Sequence, residues 1–406
     1  MKYIRLSHQS GSVFGKIQVT GSKSESNRML LLQSLFPQIE LTNLSNSDDT
    51  VSMKSGLQSE DALVDIGHAG TTMRFLTAYF STIENQEKTL TGSQRMQERP
   101  IVILVDALRQ LGADINYLKN EGYPPLLIKG KKLSANEVCL SADVSSQYIT
   151  ALMLIAPRLT GGLRLHLHGK ITSVPYIKMT QSLLHDLGIE VSFSGQTIEI
   201  FPKTDIAATT HAVESDWSSA SYYFGIAALA KEADIRLSTY KKNSLQGDRV
   251  LMNIYEQLGV QSSIENNTIH LQKQVLQSTS IQLDLSNAPD IAQTIVVSCY
   301  GLGIACDIKG LHTLKIKETD RLVALQNELT KLGATIDITD HSLHLHKRNN
   351  PIRPNVLIET YRDHRMAMAF APLALLVPIR IQNANVVTKS YPGFWKDLEM
   401  NGFLLG

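Results

Sequence analysis

The 406 residues carry 39 Lys plus Arg against 38 Asp plus Glu, a formal net charge of +1, with no basic or acidic block. That balance excludes a nucleic-acid footprint and an acidic tail, so charge recognition has to be local. The length exceeds one ordinary core and predicts two or three domains.

Cys139, Cys299 and Cys306 show neither metal-ligand spacing nor an even count and read as reduced core thiols. The N-terminal stretch, through His8, lacks the apolar core of a secretory signal, and no apolar run reaches about 18 residues. A cytoplasmic chain with neither membrane nor nucleic-acid partners is expected.

In chain order, Gly21-Ser22-Lys23-Ser24-Glu25-Ser26-Asn27-Arg28 starts a helix, with Lys23 and Ser24 at its head and Arg28 one turn on, facing the same way. Gly67-His68-Ala69-Gly70-Thr71-Thr72-Met73-Arg74 is a glycine-bounded turn that bares backbone N–H groups before a second helix. The polar loop Thr91-Gly92-Ser93-Gln94-Arg95-Met96-Gln97-Glu98-Arg99-Pro100 adds two guanidinium forks suited to phosphate or carboxylate. Ser145-Ser146-Gln147 opens a third helix, Ser218-Ser219-Ala220 a fourth and Pro289-Asp290-Ile291 a fifth. Lys317-Glu318-Thr319-Asp320-Arg321 gathers cations and carboxylates around one helical turn. Asp363-His364-Arg365 starts a sixth helix that turns apolar at once, Met366-Ala367-Met368-Ala369-Phe370-Ala371.

A second phrase runs in phase with these starts. Leu111-Gly112, Leu187-Gly188, Leu258-Gly259 and Leu332-Gly333 each close a helix and lead into a strand, at intervals of roughly 70 to 76 residues. The first two helix starts are only about 48 residues apart, so one module has lost part of itself between Asp49 and Gly67, where the chain runs almost directly from one start to the next. Scaffolding solenoids have shorter repeats. The pattern therefore predicts an α/β protein of two similar domains, each of three modules: 21–213, whose first module is shortened between 49 and 67, and 1–20 plus 214–406.

One capped helix with a lysine is an ordinary surface feature. Six in register, with an excess of Lys and Arg, converge on a multiply anionic small molecule, because helix N-termini add backbone N–H groups and a positive dipole end. Asp290, Glu318 and Asp363 are then candidates for moving protons, tuned by burial and neighbouring cations.

The ordered segments 21–28, 67–74, 95–100, 145–147, 173–176, 216–221, 289–290, 317–321 and 363–368, with Lys389, span nearly the whole chain. They resemble the enolpyruvyl transferases, and in particular the branch acting on shikimate 3-phosphate. The resemblance implies two domains of three βαβαββ units each, an inside-out α/β barrel, closing over a cleft. It implies a monomer that transfers the enolpyruvyl group of phosphoenolpyruvate to the 5-hydroxyl of shikimate 3-phosphate through a tetrahedral intermediate, releasing phosphate without metal or organic cofactor.

By the same resemblance, Lys23, Ser24, Arg28, Ser145, Ser146, Gln147, Ser173, Tyr176, Asp290 and Lys317 hold shikimate 3-phosphate, with Ser145, Ser146 and Ser173 on its phosphate. Lys23, Gly70, Arg95, Gln147, Arg321, Arg365 and Lys389 hold phosphoenolpyruvate. Asp290 takes the hydroxyl proton, Glu318 protonates the methylene carbon and later removes a proton, and Lys23 completes the catalytic set. His68, Thr72, Phe75 and Thr313 depart from that pattern, standing where Asn, Ala, Pro and Asn are usual. A sister branch acting on UDP-N-acetylglucosamine carries a loop cysteine that residues 91–100 lack. A catalytically idle anion binder would take shikimate 3-phosphate without releasing phosphate.

Overall fold

The computed structural model describes residues 3–142, 145–169, 171 and 173–406; Met1 and Lys2, at the head of the domain expected over 1–20 and 214–406, lie outside the described residues. Local chemistry sets the repeat. Ser22, Ser145, Asp216 and Asp363 each accept a hydrogen bond from an N–H in the first turn of the helix that follows, satisfying a donor the helix cannot. At the ends of later helices Gly112, Gly188, Gly259 and Gly333 hold φ of 98°, 71°, 78° and 106°, a left-handed turn that glycine adopts cheaply. A further copy, Asn401-Gly402, with φ 88° at the glycine, follows the helix Phe394–Met400.

The product is a βαβαββ unit. In one copy Ser280–Asp284, Ala305–Lys309, Ile336–Ile338 and Ser342–Leu345 form a sheet in the order first, second, fourth, third. The first pair is parallel and the others antiparallel, with the helices Ala292–Leu302 and Arg321–Leu332 as connections.

The chain divides into two compact units, a discontinuous one, Met1–Thr20 with Glu214–Gly406, and a continuous one, Gly21–Val213. In the discontinuous unit a second copy pairs Val13–Ile17 with Ala233–Ser238. The third is completed by Tyr3–His8, which lies between Ile379–Gln382 and Phe403–Leu405. The continuous unit holds two four-stranded sheets and a two-stranded one, Ile39–Thr42 parallel to Thr209–Ala212.

That two-stranded copy corrects one expectation. Residues between Asp49 and Gly67 do not pass directly to the next helix start: they include most of a helix, Asp48–Gln58, capped by Ser47, and the strand Leu63–Asp65, which pairs with Glu87–Thr91 of the next module. What is missing is the closing hairpin, since only residues 59–62 join that helix to that strand.

Helices lie inside and sheets outside. Trp217–Leu229, Ala292–Leu302 and His364–Phe370 pack on one another, and every residue of the first and last is buried, their polar first turns included, as suits helices enclosed by their neighbours. Strands alternate instead: Leu163–His168 buries its three leucines and turns Arg164 and His168 outward, one face to the core and one to water. Each unit has its own apolar core. Cys299 and Cys306 are buried there, but Cys139 is exposed, because it occupies an outward position of Glu137–Ser141. Among the described residues no helix is long and apolar enough to cross a membrane.

Candidate active site

In the discontinuous unit, Asp320 caps the helix Arg321–Leu332, accepting from Leu322 N and Val323 N at 3.1 and 3.2 Å. Arg321, only 2% exposed, therefore starts at a fixed point. It donates from Nε to Asp363 (2.7 Å), from Nη1 to Asp290 (2.9 Å) and from Nη2 to Glu318 (2.9 Å). Lys389 reaches Glu318 at 2.6 Å, while Lys317 and Arg365 reach Asp290 at 3.5 and 3.3 Å. Arg365 also donates to the Asp290 carbonyl at 3.1 Å. Four cations thus surround three carboxylates.

Burial opposes ionisation of Asp290, but Arg365, Lys317 and Arg321 override it and hold the carboxyl well below its ordinary value. Glu318 is likewise opposed by burial and held low by Arg321 and Lys389. Behind Arg365 the Ser218 hydroxyl accepts from Nη2 at 3.3 Å and donates to the buried Asp248 carboxylate. Burial, then the neighbouring Asp290 charge, pushes Asp248 up to about 6.

In the continuous unit three helix N-termini meet. Lys23, on the first turn of Lys23–Leu35, pairs with Asp49 at 3.1 Å. Asp49 belongs to the first turn of Asp48–Gln58, and its carbonyl accepts from Thr72 Oγ1 at 3.2 Å on Gly70–Ser81. Gln147, on Ser146–Ile155, donates to Thr71 Oγ1 at 3.3 Å and brings a fourth helix start alongside.

Two guanidiniums crowd Gly70. A Cβ there would lie 2.5 Å from Arg99 Nη1 and 3.0 Å from Arg74 Nη1, so the missing side chain is what lets both arginines approach. Burial, then the Arg99 charge, lowers Arg74 to about 10. Arg95 is elsewhere: its side chain is 57% exposed and pairs with Glu98 at 3.1 Å. The arginine that reaches Gly70 is Arg99, whose N–H bonds the carbonyl of buried Met96 at 3.1 Å. Both arginines stand in one polar loop, so the local sequence carries no signal that separates Arg99 from Arg95; the distinction comes from how the loop packs on Gly70.

Arg28 is buried and already engaged. It donates to Thr180 Oγ1 (2.9 Å), Thr150 Oγ1 (3.3 Å), and the carbonyls of Ser24 (2.6 Å) and Tyr176 (3.4 Å). Burial lowers it to about 10. Ser145 caps its own helix, accepting from Gln147 N at 3.3 Å, and Ser146 follows as the first helical residue. Ser173 precedes Val174–Asp186 at φ 54°, ψ 40°, and its hydroxyl does not cap that helix. A serine held in the left-handed region is strained, and such strain gathers at functional positions. Of the departing residues, His68 Nδ1 shares a hydrogen bond with Ser93 Oγ at 2.8 Å, and Thr313 Oγ1 is buried without a hydrogen-bond partner among the described residues.

The structure therefore gathers Asp290, Lys317, Glu318, Arg321, Arg365 and Lys389 in one unit, and Lys23, Gly70 and Gln147 around adjoining helix starts in the other. Reading by motif marks Arg99 only as one of two loop arginines and Ser218 only as part of a helix start, and it passes over Asp49 and Asp248 as site residues.

Residues 53–398 match the family described as EPSP synthase, 3-phosphoshikimate 1-carboxyvinyltransferase. Over 391 residues the chain is 45% identical to a Bacteroides fragilis protein named 3-phosphoshikimate 1-carboxyvinyltransferase, covering 95% of each. A Haemophilus influenzae protein of the same name is 35% identical, with 96% of each covered. Among solved structures, an EPSP synthase from Acinetobacter baumannii has a TM-score of 0.82 at 21% identity over 100% of both chains. The enolpyruvyl transferase NikO from Streptomyces tendae has a TM-score of 0.74 at 14% identity, covering 100% of this chain and 99% of that one.

Proposed function

The chain belongs to the EPSP synthase family, and from that premise we propose which of its residues carry the reaction. The activity is the enolpyruvyl transfer of the shikimate pathway, from phosphoenolpyruvate to shikimate 3-phosphate with release of phosphate. The observation that carries the assignment is Asp290, ionised between Arg365, Lys317 and Arg321.

In our reading Asp290 accepts the proton of the 5-hydroxyl as its oxygen bonds to C2 of phosphoenolpyruvate and a proton adds to C3, giving the tetrahedral intermediate. Glu318 supplies that C3 proton and removes one again as the C2–O bond to phosphate breaks. A carboxylate held low by Arg321 and Lys389 is a poor acid. Substrate anions that draw those two cations away raise its affinity for a proton, so binding itself arms the acid.

Phosphoenolpyruvate is assigned to Lys23, Gly70, Arg99, Gln147, Arg321, Arg365 and Lys389, with Arg99 in the place first given to Arg95. Shikimate 3-phosphate is assigned to Lys23, Ser24, Arg28, Ser145, Ser146, Gln147, Ser173, Tyr176, Asp290 and Lys317. The orphaned Thr313 hydroxyl is a further candidate for a ring contact, since a buried donor without a partner calls for one. Released phosphate, measured with both substrates and with each omitted, tests the reading: phosphate should appear only with both. Turnover with UDP-N-acetylglucosamine replacing shikimate 3-phosphate would overturn it.

A further inference from the structure

Immediately before Asp363 the chain passes through two consecutive non-glycine residues in the left-handed region, Tyr361 at φ 52° and Arg362 at φ 56°. Side chains disfavour that conformation, so the surroundings must impose it. They do so through Glu328, a carboxylate of 0% exposure on the helix Arg321–Leu332. Its Oε2 accepts from Glu359 N at 3.0 Å and its Oε1 from the Tyr361 hydroxyl at 2.8 Å. Lys331 closes on both oxygens at 2.7 and 2.8 Å, which compensates the buried charge.

Glu328 lies two turns beyond Arg321 on the same helix face. One rigid helix therefore grips the turn twice, at 359 and 361 through Glu328 and at Asp363 through Arg321. Between these grips Asp363 N bonds Thr360 O at 2.8 Å, and beyond them Asp363 Oδ1 accepts from Arg365 N at 2.8 Å. We propose that Glu328 is a positioning residue, which holds the strained Tyr361–Arg362 turn in place and so sets Asp363 and Arg365 against Asp290 and Arg321. That it serves phosphoenolpyruvate binding rests on the assignment of Arg365 and Arg321 above.

Two conservative variants test it, Tyr361→Phe, which removes one hydroxyl from a half-buried ring, and Glu328→Gln, which keeps the volume. Each should raise the KM for phosphoenolpyruvate by about tenfold with kcat within about threefold and the KM for shikimate 3-phosphate unchanged. The double variant should be little worse than either single one, because both break one clamp. Hydrogen exchange on the substrate-free protein gives a second readout: amides of 359–366 should exchange several-fold faster in both variants, with 292–302 unmoved. Unchanged exchange at 359–366, or an unaltered phosphoenolpyruvate KM, overturns the proposal, as does a uniform fall in kcat alongside a lower Tm. A wild-type protein that releases no phosphate would reject the functional reading instead, and the exchange measurement would still decide the clamp.

Discussion

Asp290 accepts from Arg321 and faces Arg365 and Lys317, so replacing it by Asn removes a proton acceptor while leaving more unbalanced positive charge. Asp290→Asn should therefore keep or tighten binding of shikimate 3-phosphate and lose about 10²- to 10⁴-fold in turnover. Titration calorimetry beside a phosphate assay separates the two, and near wild-type turnover would reject Asp290 as the base. Arg99 and Arg95 make a sharper pair. Loss of a charge-assisted contact at Gly70 should raise the phosphoenolpyruvate KM by about ten- to a hundredfold in Arg99→Gln, whereas Arg95→Gln, which loses only an exposed pair with Glu98, should stay within about twofold. The reverse order would restore Arg95. Asp248 carries a pH dependence. Its folded pKa is raised from 3.8 to about 6, so the stability it contributes is full below pH about 4 and is lost as pH rises through about 6. Asp248→Asn should accordingly be more stable than wild type by about 3 kcal/mol in urea at pH 8, with the gap closing towards pH 4; a gap independent of pH would rule this out. Glu318 and Arg321 could be read together from sequence because one turn joins them. Asp248 and Ser218 could not, since their meeting depends on how separate elements pack.

Four of the six helix starts and four of the Leu-Gly ends were legible because each has a local cause, a capping oxygen or a glycine at positive φ. The starts at Gly70 and Ala292 have no side-chain cap and were legible from the small or proline-led stretch before an apolar run. The turn at Gly402 escaped because Asn401 stands where the other copies have leucine. The helix Asp48–Gln58 escaped because it ends on Ser59 with extended backbone, φ −72°, and no hairpin follows. The glycine ends differ in what surrounds them. At Gly259 a Cβ would lie 2.8 Å from the Gln274 carbonyl oxygen and 3.2 Å from Leu276 Cα, whereas at Gly333 its nearest neighbour would be Arg353 Nε at 3.7 Å. Both hold positive φ, of 78° and 106°, so alanine costs about 1 kcal/mol at either in lost left-handed freedom. Only Gly259→Ala adds a clash with backbone that cannot rotate away. Both sites lie in the discontinuous unit, so their urea midpoints compare directly. Gly259→Ala should lose at least about twice the stability of Gly333→Ala, and equal losses would show that the conformational term alone governs these turns.

The whole chain is an insertion of one repeat-built unit into another. The repeat period exposes the modules, but it does not say that a sheet will be completed from the far end of the chain; that depends on long-range pairing. Tyr3–His8 fills the gap between Ile379–Gln382 and Phe403–Leu405, and without it two strands of the discontinuous unit would present unpaired edges. The continuous unit, Gly21–Val213, borrows nothing of this kind. It has its own apolar core, and its two ends are tied together: Val213 N bonds Thr42 O at 3.0 Å, Asn43 Nδ2 bonds Val213 O at 2.8 Å, and Gly21 sits so close to the Asn43 carbonyl that a Cβ would lie 1.9 Å from its oxygen. A segment with joined ends and a private core meets the conditions for folding alone. Expressed by itself, 21–213 should give a single cooperative urea transition with protected amides in the helix Ser146–Ile155. Removing residues 1–8 from the full chain should leave that transition in place and abolish the one belonging to 214–406. A non-cooperative 21–213 fragment, or a truncated chain that keeps both transitions, would show that the two units do not fold as the topology divides them.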